Sequence, residues 1–507
     1  MISSHRNGLP TFSLPLITLL LILVSACFLF YRLGDIEMRT WDESLYALRA
    51  KEMYLSRSYI APIQGGEVAW SSGKPPFGFW VILLSFHLLG FTPLALRLPF
   101  ATFGMGSVLL LFLIGKQLRD QRLGLFSALS LLLMPGFLTY SRQAILEPIL
   151  TFFFLAALFL FHRSHLCDSK KAILLYSLAT GLTIGLALLT KQVVGLLILP
   201  ALMGHEVWEW RKHGGNGHLF RCFLILLAML ATSVWWFLIM YAQYGSIFVH
   251  HYFGTSVLRR LSHTITAADR MAQGFHSVLL QRTGSLPLLL GALGLLLLLL
   301  FLFLPQLLRR GEPFSPNPAS HALLIPLLLF SGIYYLIFGL ISRTLLSWYP
   351  LPLLPILALG QAYFLWICLE APSKRGFRTI ISILGLFLIT AYFCGLARVA
   401  LKARTYHSPD PFKEVAAVVQ TLRAEQVLFD EGIERGHKDK ILPLRFYLEV
   451  PVQRTDVEPY LKGEKGGEGE LVITSRTRWA ELRGTASGGR VVQHLPGGDL
   501  ILWEGQR

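Results

Sequence analysis

SLPLITLLLILVSACFLFYRLGDIEMRTWDESLYALRAKEM, Ser13 to Met53, joins two kinds of sequence that soluble proteins keep apart. An unbroken apolar run ends at Tyr31, and Asp35, Glu37, Asp42 and Glu43 follow directly. About 20 apolar residues are what a helix needs to cross ~30 Å of hydrocarbon. SLPLLLGALGLLLLLLFLFL, Ser285 to Leu304, is a second run of that kind. The 507-residue chain is 53% hydrophobic and 15% charged, against about 25% charged in soluble domains. The fold class is therefore an α-helical polytopic membrane protein. Leu23 to Cys27 resembles a lipoprotein cleavage box, but the apolar run continues through Phe28 to Tyr31, which predicts an uncleaved anchor helix. The five cysteines lie in or beside apolar segments, so no disulfide framework is expected.

About eleven transmembrane helices are expected, near residues 12–31, 96–116, 122–140, 146–162, 172–189, 193–208, 220–241, 285–305, 321–340, 348–368 and 377–397. Charge orients them. KQLRDQR, HRSHLCDSKK, EWRKHGGNGHLFR, LLRRGE and EAPSKRGFR each carry at least two Lys or Arg, and SSHRNG near the N-terminus belongs with them. The alternate connections, SRQAILE, TKQ and SRTLLS, carry one basic residue each. Basic short loops stay in the cytoplasm. The N-terminus is thus expected inside, and the loops at 35–95 and 242–284 and the C-terminal region outside. The net charge of +16 is explained by this asymmetry, and no nucleic-acid partner is expected.

Two helices are expected to lie on the outer interface, within the first outer loop. PPFGFWVILLSFHLLGF (Pro75 to Phe91) is apolar but short for a span, and counting it would put the basic loops outside. In ESLYALRAKEMYL, Leu45, Leu48, Met53 and Leu55 alternate with Arg49, Lys51 and Glu52 at roughly helical spacing. The expected division is a membrane domain, 1–401, and a small extracytoplasmic soluble α/β domain, 402–507. In the latter, DPFKEVAAVVQTLRA reads as an amphipathic helix from near Pro411. EQVLFDEG, RFYLEVPVQRTD, ELVITSR, RVVQHL and DLILWEG read as β-like runs, and KGEKGGEGE as a flexible loop.

The residues able to do chemistry fall on the outer side: Asp42 and Glu43, Lys74, Arg142 and Glu147, Lys191, His250, His251, Arg259 and Arg260, Arg343 and Tyr349. Ionisable groups at span ends mark function more often than elsewhere, although basic ones also anchor to headgroups. Two carboxylates on separate loops, Asp42 and Glu147, among scattered cations suit group transfer from a phosphate-bearing lipid. Cations would hold the phosphate and stabilise the charge it gains on leaving. A carboxylate would take the proton from an attacking hydroxyl. Adjacent His250 and His251 point apart and have no Cys or acid at ligand spacing, so they are read as loop or interface residues and no metal site is expected there. Rival readings are a lipid or sugar transporter, which would need charges near the midplane and repeated topology, and a scaffold of an envelope complex.

Taken in order, WDESLYALRAKEM, GKPPFGFWVILLSFHLLGFTPLALRLPFA, SRQAILEP, GLALLTKQVVGLLILP and SWYPLPLLPILAL resemble the motifs of the C-type-fold integral-membrane glycosyltransferases. The group is family 39/83, with the protein mannosyltransferases and the lipid A aminoarabinose transferase. The resemblance covers about residues 15–400 and implies that Asp42 activates the acceptor and that Glu147 is the second acid. It implies that Lys74, Arg260 and Tyr349 face the lipid phosphate; the set of outer-side polar residues adds Arg343 as a phosphate-binding candidate and Glu43, Arg142 and Lys191 in support. The implied partners are a sugar donor on polyprenyl phosphate, such as undecaprenyl phosphate, and a lipid, glycan or protein acceptor, with inversion at the anomeric carbon. Relatives hold a metal with a Glu before the loop lysine and a His three residues before the loop arginine. Here those positions are Gly73 and Val257, and Leu45 replaces an arginine of the aminoarabinose subgroup.

Overall fold

The computed structural model describes residues 13–35, 38, 42–70, 74–258, 275–303, 321–342, 346–370, 411–430, 441–448, 450–461, 470–475, 479, 489–494 and 500–505. In chain order, α1 (Leu14–Phe30) and α2 (Asp42–Ser56) precede a hairpin, β1 (Ile63–Gln64) and β2 (Glu67–Val68). Then come α3 (Phe77–Leu89), α4 (Pro93–Leu118), α5 (Gln121–Leu133), α6 (Pro135–Ser141), α7 (Glu147–His165), α8 (Lys170–Lys191), α9 (Leu199–His213) and α10 (Asn216–Val249). They are followed by α11 (Phe275–Thr283), α12 (Ser285–Phe303), α13 (His321–Tyr335) and α14 (Leu354–Glu370). The C-terminal part holds α15 (Pro411–Thr421), β3 (Gln426–Asp430), α16 (Ile441–Tyr447), β4 (Val452–Thr455), α17 (Glu458–Leu461), β5 (Glu470–Ser475), β6 (Gly489–His494) and β7 (Leu500–Gly505).

The chain is an α-helical polytopic membrane protein. Among the described residues, Pro93–Leu118, Glu147–His165, Lys170–Leu196, Asn216–Gly254 and His321–Ile341 are long and apolar enough to cross a bilayer. Two bent pairs, α5 with α6 at 68° and α11 with α12 at 105°, bring the number to seven if each is one span. Both bends have local causes. Met134 precedes Pro135 and takes an extended conformation (φ −64°, ψ 124°), because proline disfavours the helical region for the residue before it. Gly284 turns the chain at φ 88°, which glycine alone adopts without steric cost. Leu14–Phe30, Phe77–Leu89 and Leu351–Ile367 are apolar but shorter. The 13 residues of α3 reach only about 20 Å at 1.5 Å each. A span expected at 193–208 is replaced by a 3₁₀ turn (Gln192–Leu196) and α9, whose last turns carry His205, Glu206, Glu209, Arg211 and Lys212. The span expected at 377–397 lies outside the described residues.

The chain forms two compact units. The first comprises Met1–Tyr31, Ala69–Gly78 and Leu98–Tyr406. Within it α8 and α10 pack along glycines: a Cβ at Gly181 would collide with the Ile225 carbonyl, and one at Gly185 with Thr232 and the Met229 carbonyl. Small residues let helix backbones approach this closely where lipid supplies no hydrophobic drive between helices.

The second unit comprises Arg32–Val68, Phe79–Arg97 and His407–Arg507. Its sheet has the order β4-β3-β5-β7-β6. β3 runs parallel to β4 and β5, and β7 antiparallel to β5 and β6. Strand alternation sends Val427 and Phe429 into a core with Val415, Val419, Leu444, Leu471 and Ile473, and Leu428 to the other face with Val457 and Val472. RFYLEVPVQRTD, expected as one β-like run, is divided: Arg445 to Tyr447 end α16, and β4 starts only at Val452.

Candidate active site

In the second unit, Asp42 is the first residue of α2 and is half-buried. An acidic residue there is favoured by the positive end of the helix dipole. Glu43, next in sequence, is 1% exposed and accepts two bonds from Arg97, Nε at 2.7 Å and Nη2 at 2.9 Å. Arg97 is fully buried, and its Nη1 also donates to the Leu33 carbonyl at 3.1 Å. One guanidinium therefore pins both the start of α2 and the chain leaving α1. Arg49, expected on the polar face of an interfacial helix, is 1% exposed. It donates to Gln64 Oε1 on the hairpin at 2.7 and 3.0 Å. Burial pulls its guanidinium down to about 10, opposed by the attraction of Tyr46, Asp42 and Glu52, so it stays charged at neutral pH. Leu55, expected on the apolar face, is instead 64% exposed.

The first unit holds the other described candidates. Glu147 opens α7 and Lys191 closes α8, each at the helix end whose dipole suits its charge. They form a buried ion pair, Lys191 Nζ to Glu147 Oε1. Lys191 Nζ also lies 4.3 Å from the centre of the Tyr349 ring, within the range of a cation–π contact. The Tyr349 carbonyl accepts from the buried Tyr334 hydroxyl at 2.8 Å. Directly after Lys191, Gln192 takes φ 56°, ψ −147° while 5% exposed. That conformation costs a non-glycine residue about 1–3 kcal/mol and persists only where surroundings impose it. Glu147, Lys191 and Tyr349 thus form one cluster.

Lys74 is buried at 7% exposure, just before Pro75, Pro76 and the start of α3. The unpaired N–H groups and dipole of a helix start add to the positive potential of a nearby lysine. Trp70 stacks on His251 (5.8 Å, 22°) and meets Tyr244 edge-on at 5.0 Å. His251 thus joins Trp70 to the π-helix His250–Leu258. Arg142, at the end of α6, donates to the Tyr31 carbonyl at 2.7 Å and is 4% exposed. Arg260, Arg343 and Gly73 lie outside the described residues.

Arg97 was not singled out from the sequence. Its signal was present: an arginine inside the apolar LALRLPFA, where an unpaired charge is costly. A second polar cluster was also missed. Glu206, fully buried, is bonded by His165 Nε2 at 2.8 Å and His218 Nδ1 at 2.6 Å, with Arg221 3.8 Å away. His165 lies at the far end of α7 from Glu147, 18 residues away, or about 27 Å along the helix at 1.5 Å per residue. This staple joins α7, α9 and α10 and belongs to the other end of the helical unit.

The chain resembles known proteins both in its fold and in part of its sequence. Residues 73–236 match the family Dolichyl-phosphate-mannose-protein mannosyltransferase. Over nearly its full length the chain is similar to the crystal structure of ArnT from Cupriavidus metallidurans bound to undecaprenyl phosphate. The TM-score is 0.68 at 18% identity, covering 97% of this chain and 98% of that one. The archaeal oligosaccharyltransferase AglB from Archaeoglobus fulgidus, in complex with an inhibitory peptide and a dolichol-phosphate, gives a TM-score of 0.58 at 11% identity over 96% of this chain and 74% of that one. Among curated sequences, an uncharacterized protein of Aquifex aeolicus is 28% identical over 251 residues, 47% of each chain. An undecaprenyl phosphate-alpha-4-amino-4-deoxy-L-arabinose arabinosyl transferase of Proteus mirabilis is 26% identical over 223 residues, 44% of this chain and 39% of the relative. The chain therefore spans less than half the length of these curated relatives.

Proposed function

We propose that this protein is a glycosyltransferase that moves a sugar from a polyprenyl-phosphate-linked donor to an acceptor hydroxyl, at the outer face of the plasma membrane and with inversion. The acceptor class is an envelope glycolipid, glycan or protein. In this reading the N-terminus is cytoplasmic and residues 402–507 lie outside, as the basic short loops indicate. The observation that carries it is the burial of Lys74 and Lys191 at helix termini. A lysine serving only as a headgroup anchor would extend into the interface.

The acceptor oxygen attacks the anomeric carbon of the donor, and its proton passes to the Asp42 carboxylate. As the new carbon–oxygen bond forms, the bond to the phosphate oxygen breaks, and the electron pair leaves with polyprenyl phosphate. Lys74, Arg260 and Arg343 receive that charge, where fixed donors in a dry site are most effective, and the Tyr349 hydroxyl donates to it. Glu147 holds Lys191 in place against Tyr349. Glu43 and Arg97 fix the start of α2, so Asp42 is the carboxylate left to act as base. Gly73 and Val257 offer no side-chain donor at the positions where the resemblance implies metal ligands, so no step is assigned to a metal.

Asp42→Asn tests this. It keeps size and most hydrogen bonding but removes the base, whose contribution is typically about 10²–10⁴-fold. The variant should express, fold and bind undecaprenyl phosphate as the unaltered protein does. The glycan or lipid product seen by mass spectrometry of cell envelopes should fall at least about a hundredfold. Transfer near the normal rate would remove Asp42 as base and leave Glu147 as the candidate.

A further inference from the structure

The C-terminal sheet has no role in the chemistry above, yet it is joined to the helix that begins with Asp42. Lys51, in the third turn of α2, donates from Nζ to the carbonyls of Phe446 (2.8 Å) and Leu448 (3.2 Å). These carbonyls lie at the C-terminal end of α16. There the last carbonyls of a helix lack partners and the dipole is negative, so a cation is favoured. An ammonium suits this place because it carries three donors on a compact head. The contact is sheathed in aromatic rings: Lys51 Nζ is 5.9 Å from the Phe446 ring centre and 5.7 Å from that of Phe91. Phe446, 1% exposed, packs on Phe86 at 5.9 Å, and Phe86 on Phe91 at 5.3 Å.

The other side of α16 belongs to the sheet core. Leu444 is fully buried against Val415, Val427, Phe429, Val452 and Ile473. Arg445 ties the helix to the start of β4 by donating to the Val452 carbonyl at 2.8 and 3.1 Å. A continuous packed path thus runs from the sheet through α16 and Lys51 into α2. Lys51 is nine residues from Asp42, about 14 Å along a helix. The Glu43–Arg97 pair holds the start of α2, and Lys51 holds its third turn. The second hold limits the tilt and rotation that a single side-chain contact still permits. Since one residue of rotation is about 100°, such freedom would turn Asp42 away from any fixed target.

We infer that Lys51 is a positioning residue through which the C-terminal domain holds α2, and hence Asp42, in its working orientation. The C-terminal domain is then part of the transferase machinery and not a separate docking module. The functional half of this inference rests on Asp42 being the base.

The test uses the full-length protein in phospholipid nanodiscs. Lys51→Met keeps the aliphatic stem and removes the donors; Lys51→Arg restores a cation. Hydrogen exchange should rise in peptides from residues 42–56 of Lys51→Met and stay normal in β3 and β5. Undecaprenyl phosphate affinity should not change. Turnover should fall by about tenfold to a hundredfold, as expected when a reacting group is misplaced by an ångström or so, and Lys51→Arg should recover most of it. The loss then lies in kcat and not in donor binding. Unchanged exchange in α2 overturns the inference. So does normal transfer with a loosened α2, and so does loss of protection in β3 and β5, which would make Lys51 a folding residue only. The two readings separate cleanly. An active Asp42→Asn beside a loosened, impaired Lys51→Met removes the base assignment and leaves the anchoring. An inactive Asp42→Asn beside a fully active Lys51→Met removes the anchoring alone.

Discussion

Removing Arg97 should deprive a buried carboxylate of the guanidinium that balances it. Arg97 and Glu43 are 0% and 1% exposed and joined by two bonds of 2.7 and 2.9 Å, the bidentate geometry that gives the strongest charge-assisted contacts. Breaking such a pair by deleting one partner typically costs about 3–5 kcal/mol, because the survivor stays buried and unpaired. At about 1.4 kcal/mol per tenfold, the folded-to-unfolded ratio should drop by roughly two to three and a half orders of magnitude. Arg97→Met should lie toward the upper end, since the Leu33 carbonyl also loses its donor. Glu43→Gln should be milder, because the amide oxygen still accepts one bond. In the double variant Arg97→Met with Glu43→Met no charge is left behind, and exchanging a buried pair for apolar side chains is often neutral or stabilising. The two single losses should therefore not add. The assay is a double-mutant cycle on purified protein, unfolded by titrated denaturing detergent. Single losses below about 1 kcal/mol, or strict additivity, would refute the reasoning and make the pair a solvated contact of the kind worth under about 1 kcal/mol.

Lys191→Met strands Glu147, which is 1% exposed, so it should destabilise by about 3–5 kcal/mol; Glu147→Gln should cost less and leave Lys191 to be held by the Tyr349 ring, both read by the same titration. Glu206→Ala removes the acceptor shared by His165 and His218 and should lower stability by about 1–3 kcal/mol. Undecaprenyl phosphate affinity should be retained, since the staple is at the opposite end of α7 from Glu147; lost affinity at full stability would contradict that separation. Gly466→Cys, in a chain whose five native cysteines are replaced, should react with a membrane-impermeant thiol reagent in cells with a permeabilised outer membrane. Protection until lysis would invert the topology.

The sequence by itself determined the solvent. Runs such as Leu14–Phe30 and Ser285–Phe303 are almost wholly apolar, and segment length against bilayer thickness is a one-dimensional property that needs no tertiary contact. The short α3 was legible for the same reason, and so were the amphipathic α15 and most strands of the sheet. Ordered motifs along the chain also pointed to the residues that gather in the first unit, Glu147, Lys191 and Tyr349. What the sequence did not determine was which face of α2 is buried. Periodicity put Arg49 and Lys51 on a polar side, but a charge can be buried wherever distant groups complete its bonds. Gln64 does so for Arg49, and the Phe446 and Leu448 carbonyls, nearly 400 residues on, do so for Lys51. The same holds for Glu43 and Arg97, 54 residues apart, and for the histidines around Glu206. Whether an ionisable side chain is surface, staple or site depends on partners brought together by packing, and only the tertiary structure supplies them.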